Sequence, residues 1–442
     1  MSGPAPRRQR TGAQSSRAPR APQAISPARL AAFEILTRVA QGKGHSDELL
    51  HSHLTSTLSP EDRNLATALV MGVLRWQIAL DAQIGSLLSR PGQKLAEPVS
   101  IALRLGAFQL QHMDRIPAHA ALNESVELCR SAGQPHSAGM VNAILRKITT
   151  AAPAHGKLYE LPAAFAERLG HPRWLAERWA ANYGRDAALA ICEYDQQEPS
   201  NDSLFSGVDE PLSLPEIDDG SRLVAEIAAA AAQGMSKPHV WDACAAPGGK
   251  ALVLAARLRD AEILATDISV KRLSAMQRRL QHYSYAGAIR SEVMDATGAA
   301  AVDAERFDLI LCDVPCSGTG TLARNPEIRL RIQPDDLPRQ SARQRTILLN
   351  ALKRLALGGR LVYSTCSLEP EENEAVLQDV LASAPVQQLP VQPFVEQLAS
   401  SRLLTPESAN ALLKTAVREN ALRTLPGVHK CDGFYTALLQ RN

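Results

Sequence analysis

The chain has 442 residues, with 45% hydrophobic, 21% charged and only 4% aromatic residues, a net charge of +2 and seven cysteines. At ~150 residues per domain this is two or three globular domains, with no global field that demands or forbids a nucleic-acid partner. No apolar run of ~18 residues and no leading apolar segment stand out, so neither a membrane span nor a secretory signal is expected. An odd, scattered cysteine set does not suit a disulfide framework and fits a reducing cytoplasm.

In chain order, residues 1–25 hold five arginines, several prolines and no acid. This reads as a disordered basic tail. It is either merely solvated or attracted to phosphates, and its prolines disfavour the amphipathic helix of a transit peptide. Residues 26–152 read as all-helical. In the first helix Leu30, Phe33 and Leu36 share a face, and Ser59, Pro60 and Asp62 mark a capped helix start. Leu65, Leu69 and Val73, then Ile101, Leu105 and Phe108, continue the helical spacing. The segments "PAHAALNESVEL" and "GMVNAILRKI" resemble the NusB RNA-binding domain, which implies a small helical bundle. Residues 153–235 start helical, turn polar and Asp-rich, and read as a linker or small subdomain.

From 236 to 442 strand and helix patterns alternate: "HVWDACA", "AEILATD", "IRSEVMD", "FDLILCD" and "GRLVYST" are separated by helical stretches. Alternation of this kind gives a doubly wound, largely parallel sheet. Ligands of such sheets lie at the carboxyl ends of the strands. The expected strand ends carry Asp242, Asp267, Asp295, Asp313 and Cys366.

"DACAAPGGK" is a tight glycine-rich turn between strand and helix. Gly248 and Gly249 allow close ligand approach, and the helix start offers free N–H groups. The turn is neither G-x-G-x-x-G nor a P-loop, which weakens dinucleotide and ATP readings. Asp267 follows about twenty residues later, where an acid can hold ribose hydroxyls. Asp295 could bond an adenine amino group. Together these suit S-adenosylmethionine, against the alternative that the acids are ordinary polar strand ends.

Cys316 in "DVPCSGTG" and Cys366 in "YSTCS" follow the fourth and fifth strands, which are neighbours in this kind of sheet. Cytosine is a poor nucleophile at C5. A thiolate that adds to C6 pushes electron density to C5, and a second thiol can assist release. Asp313 is placed to support ring N3. A zinc site from Cys244, Cys312, Cys316 and Cys366 lacks C-x-x-C spacing, so no metal is expected. His45, His51 and His53 read as solvated. Arg324 and Arg329 read as holders of RNA phosphates or as surface ion pairs.

"DACAAPGGK", "DVPCSGTG" and "YSTCSLEPEENEAVL" together resemble the RNA 5-methylcytosine methyltransferases of the Sun superfamily. With the NusB-like block, the chain resembles the RsmB (Sun, Fmu) family that acts on 16S ribosomal RNA. The likeness is strongest over 240–377. "LPGVHKCDGFYTALLQ" resembles the family's closing strand. The resemblance implies a class I S-adenosylmethionine-dependent fold, with a cofactor loop of Cys244, Ala245, Ala246, Pro247, Gly248, Gly249 and Lys250. It implies Asp267 at the ribose, Asp295 at the adenine and Asp313 as the acid of the fourth motif. It also implies Cys366 as nucleophile and Cys316 as the release residue. The expected protein is a cytoplasmic monomer with RNA as partner. The segment before the catalytic domain looks trimmed and lacks the family's Arg-x-Asn stretch, which leaves a transfer RNA target open. A non-catalytic RNA-binding assembly factor is the other alternative, and the intact cysteine pair with Asp313 speaks against it.

Overall fold

The computed structural model describes residues 24–90, 92–150, 162–199, 203–207, 213–298 and 306–442. The basic tail falls outside these residues except at its last two positions.

The N-terminal region packs helices Pro27–Ala40, Pro60–Leu87, Glu97–His112, Ala118–Ser131 and Ala138–Thr150 around one apolar core. Leu69, Val73, Ile101 and Leu105 lie in that core as their spacing requires, and the Ser59 hydroxyl accepts from the Asp62 amide at the second helix start. The first helix turns differently from its expected face. Leu30 is 48% exposed, while Ile35, Leu36 and Val39 are buried. Its Arg29 dips inward to Gln109 and Glu124, which fixes the helix rotation.

Helix Pro60–Leu87 corrects the membrane reading in one respect. By length and composition it could cross a bilayer, with a mean hydropathy of 1.3 over its most apolar window. Its apolar residues Leu69, Val70, Val73, Leu74 and Ile84 are spent on the bundle core.

Residues 162–194 are not a plain linker. Helices Pro162–Arg168, Arg173–Tyr183 and Arg185–Tyr194 enclose Phe165, Leu175, Trp179 and Ile191, and this small core extends onto Leu322 and Leu368.

The C-terminal region is built on strands β1 (His239–Asp242), β2 (Glu262–Asp267), β3 (Ile289–Val293), β4 (Phe307–Asp313), β5 (Leu355–Thr365), β6 (Val386–Leu389), β7 (Val417–Arg418), β8 (Ala421–Arg423) and β9 (Tyr435–Arg441). The sheet order is β3-β2-β1-β4-β5-β9-β8-β7, with β6 pairing β9. β3 through β5 run parallel, and β9 is antiparallel to β5. Helices Asp219–Ala232 and Gly249–Arg257 contribute to the core on one face, and helices Asp336–Lys353 and Glu374–Ser383 to that on the other. Leu223, Val224, Ile227 and Ala228 pack with Val240, Leu309 and Val362, so helix Asp219–Ala232 belongs with the sheet and not with the segment before it. At ~25 cal/mol per Å² of apolar surface, each such fully buried side chain contributes ~1.5–3 kcal/mol.

Candidate active site

The chain order reverses between β1 and β4, and the carboxyl ends there line a cavity of about 260 Å³. Its walls include Cys244, Ala246, Asp267, Asp295, Asp313, Cys316 and Cys366. Ile268, Met294 and Ile347 add apolar surface, and Arg343 from helix Asp336–Lys353 adds a cation.

On the β1 side the 243–249 turn is held by backbone bonds. The Ala245 amide donates to the Thr266 carbonyl at 2.8 Å, and the Gly248 amide to the Ala245 carbonyl at 2.7 Å. Gly248 has φ +93°, and a Cβ there would come within 2.8 Å of Met276. Glycine is therefore required on both conformational and steric grounds. Asp267 is buried. Its Oδ1 accepts from the Ser269 amide at 2.8 Å and its Oδ2 pairs with Arg272 at 3.4 Å. Asp295 lies two residues beyond the end of β3 and is exposed. Hydrogen bonds from the Thr297 side chain and amide hold its carboxyl below the usual range.

Lys250 is not a solvated helix-start lysine. Its Nζ lies 2.7 Å from Asp313 Oδ2 and 2.6 Å from Ser221 Oγ, and 5.4 Å above the Phe434 ring. Burial works against its charge, but the adjacent Asp313 carboxylate outweighs burial and raises its pKa.

On the β4–β5 side, Asp313 pairs with Ser364 in register, so the two following loops leave the sheet side by side. Cys316 Sγ and Cys366 Sγ are 3.2 Å apart, close enough for one thiol to donate to the other. Backbone bonds stitch the loops together. The Val314 amide donates to the Ser364 carbonyl at 3.0 Å, and the Gly320 amide to the Cys366 carbonyl at 2.9 Å. Behind them, Arg178 and Trp179 both donate to the buried carboxylate of Glu369. The 162–194 helices thus brace the loop that carries Cys366.

The N-terminal bundle braces the other loop. Arg75 donates to the Ala323 carbonyl at 2.9 Å, and the buried Glu327 carboxylate accepts from the Ser46 amide and hydroxyl. Arg329 is 2% exposed and donates to the carbonyls of Arg75, Gly170, Asp195 and Leu322. Burial lowers its pKa to about 10. Arg324 pairs with Asp432 at 3.0 Å and Asp218 at 3.3 Å. Arg329 is thereby not free for RNA phosphates, which corrects that reading for this residue: it joins three parts of the chain. Arg324, with 39% of its side chain exposed, forms a surface ion pair, the other reading its sequence context allowed.

A family profile described as 16S rRNA methyltransferase RsmB/F matches residues 231–440, and one described as NusB family matches residues 26–150. The ribosomal RNA small subunit methyltransferase B of Xanthomonas campestris is 31% identical, over 93% of this chain and 96% of its own. That of Escherichia coli is 30% identical, over 93% and 97%. The chain belongs to the ribosomal RNA small subunit methyltransferase B family. Among solved structures, that of PH0851 matches with a TM-score of 0.70 at 20% identity, covering 95% of this chain and all of that one, which supports the fold. Like its family, the chain is an S-adenosylmethionine-dependent RNA methyltransferase of the cytosine-C5 type.

The residues present fit that cofactor. Cys244 and Ala246 of the glycine-rich turn, buried Asp267, the apolar trio and Asp295 line one cavity. Asp242 is fully buried at the end of β1, and its carboxylate is under-satisfied, with the Cys244 amide as a weak partner. Burial, then the Asp313 charge, raise its pKa to about 7, against the pull of Lys250 and the Cys244 amide. Among the described residues no three His, Cys, Asp or Glu side chains are grouped to hold a metal ion. Cys312 is buried in β4, and burial pushes its thiol up. Sequence reasoning named Asp242 only as a strand end and missed Arg343 and Glu372. For Arg343 no local pattern signals that a long helix returns over the cavity.

Proposed function

We propose that the protein methylates C5 of a cytosine in 16S ribosomal RNA through a covalent Cys366–C6 adduct, acting as a cytoplasmic monomer. The observation that carries this reading is the pair of thiols 3.2 Å apart, beside a cavity that also holds Asp267, Asp295 and Asp313.

Cys366 Sγ bonds to C6 of a cytosine unstacked into the site, and the C5–C6 π pair moves toward C5. The Lys250–Asp313 pair supplies the hydrogen-bond donor at ring N3 that stabilises this electron density. Cys244 to Lys250, with Asp267 and Asp295, would hold S-adenosylmethionine, which supplies an electrophilic methyl group. Water in the open cavity takes the C5 proton, the C–H electron pair re-forms the C5–C6 double bond, and the Sγ–C6 pair leaves on Cys366 as thiolate, with Cys316 standing against the departing sulfur. Arg343, exposed at the cavity wall, is placed to meet a phosphate of the incoming strand. The relatives named above act on small-subunit ribosomal RNA, and a NusB-type bundle that grips the 323–331 segment supports a large, structured RNA over a small one.

The test uses tritiated S-adenosylmethionine with 16S RNA and, separately, transfer RNA. Label at cytosine C5 of 16S RNA alone supports the reading. Cys366→Ala is expected to be inactive, and Cys316→Ala to accumulate a protein–RNA adduct that survives denaturing electrophoresis. Label confined to transfer RNA, or full activity of Cys366→Ala, would sink it.

A further inference from the structure

Two thiols in similar loops pose a symmetry problem, because proximity alone does not decide which one carries the charge. Their surroundings are not symmetric. Glu372 is fully buried, and its carboxylate accepts four hydrogen bonds. These come from the Ser317 amide at 2.8 Å, the Ser317 hydroxyl at 2.5 Å, the Ser367 hydroxyl at 2.5 Å and the Gln344 side chain at 2.9 Å. Ser317 and Ser367 are the residues that immediately follow the two cysteines. The Tyr363 hydroxyl donates to the Glu372 carbonyl at 2.6 Å, which fixes the chain at that point. Next to it, Asn373 bonds the Thr365 hydroxyl and the Ser367 carbonyl.

None of the four donors to Glu372 is a cation, so its negative charge is not cancelled locally and acts on what lies nearest. Glu372 is tied more closely to the Cys316 loop: it takes two bonds from Ser317, one of them the backbone amide that follows Cys316, and one from Ser367. The Cys316 thiol is pushed up by the hydrogen bond to Cys366, then by burial, then by the charges of Cys366, Glu372 and Asp313. After Asp313, the Cys366 sulfur is among the groups that favour the charged form of Lys250.

We propose that Glu372 is a positioning residue that polarises the thiol pair, holding Cys316 as the hydrogen-bond donor and leaving Cys366 as the acceptor and nucleophile. This rests on the thiol chemistry proposed above and adds the group that gives it direction. One carboxylate bonded behind both cysteines fixes their separation. Its charge disfavours a second anion at Cys316. The same Cys316 S–H then faces the Cys366 sulfur both before it attacks C6 and when it leaves.

The experiment needs no RNA and no cofactor, so a wrong substrate assignment leaves it intact. Full-length protein is alkylated with iodoacetamide over a range of pH, and the rates at Cys316 and Cys366 are read by tandem mass spectrometry. Wild type is expected to alkylate Cys366 first, by about tenfold or more, since the thiolate is the reactive form. Glu372→Gln, which keeps the shape and loses the charge, is expected to shrink that ratio several-fold and shift the Cys316 pH profile to lower pH. Glu372→Asp and Ser317→Ala keep the charge and are expected to retain the Cys366-first order even if reaction slows. Three outcomes each overturn the proposal: Cys316 reacting first in wild type, an unchanged ratio in Glu372→Gln, or equal loss of order in Glu372→Asp and Glu372→Gln.

Discussion

Asp242→Asn is expected to stabilise the cofactor-free protein, with a pH dependence that identifies the cause. The Asp242 carboxyl is fully buried, has only a weak bond from the Cys244 amide and titrates at about 7, against an ordinary carboxylate value near 3.8. Because the folded-state pKa is raised, the folded protein binds more protons than the unfolded chain in the interval between these values. The neutral carboxyl is tolerated below pH ~4. Stability is then lost as pH rises toward 7, and the loss is complete above it. Three pH units at 1.36 kcal/mol each make this about 4 kcal/mol. Asparagine removes the charge at nearly constant volume. The variant should match wild type at pH ~4 and exceed it at pH 8 by a few kcal/mol, or several degrees in Tm. Saturating S-adenosylmethionine should narrow the gap, while methyl transfer falls. Thermal unfolding at both pH values, with and without cofactor, measures this. Equal stability of the two proteins at pH 8, or a variant less stable there, would refute the reasoning.

Gly320→Ala places a Cβ 2.2 Å from the Gly433 carbonyl oxygen, where backbone must yield. Overpacking of this kind costs about 1–3 kcal/mol. Displacing the loop of Cys316 relative to Cys366 should slow single-turnover methylation by about 100-fold. Gly287→Ala, which meets nothing within 4 Å, serves as the control and should change neither quantity. Arg329→Met removes four hydrogen bonds to backbone carbonyls and should cost about 1–3 kcal/mol in chemical denaturation. RNA affinity of the folded fraction should keep its salt dependence, whereas loss of a phosphate contact would lower the slope by about 1. Burial holds His429 below the usual imidazole pKa, and its Nδ1 accepts from the Leu425 amide at 2.8 Å. Its contribution is whole above pH ~6.5 and lost as pH falls below that. His429→Gln should therefore flatten the acid limb of a Tm-against-pH curve below pH ~6.5.

The sequence by itself determined the elements that obey a local rule. Strand and helix alternation after 236 implied the parallel sheet, because each apolar run had the length and spacing of one element. Gly248 was legible because its conformation excludes other residues, and the adjacency of Cys316 and Cys366 followed from strand order. Helix Pro27–Ala40 shows where this stops: its spacing offered Leu30 to the core, but buried bonds of Arg29 turned the helix so that Leu30 faces out. Tertiary structure alone decided the roles of charged residues. Arg329, Lys250 and Glu372 are polar letters in solvated-looking stretches, and sequence cannot distinguish a surface charge from a buried one. The distinction lies in distant partners, such as Ser221 for Lys250 and the Arg75 carbonyl for Arg329. A buried charge persists only where such partners converge on it, and that convergence is a property of the packed chain.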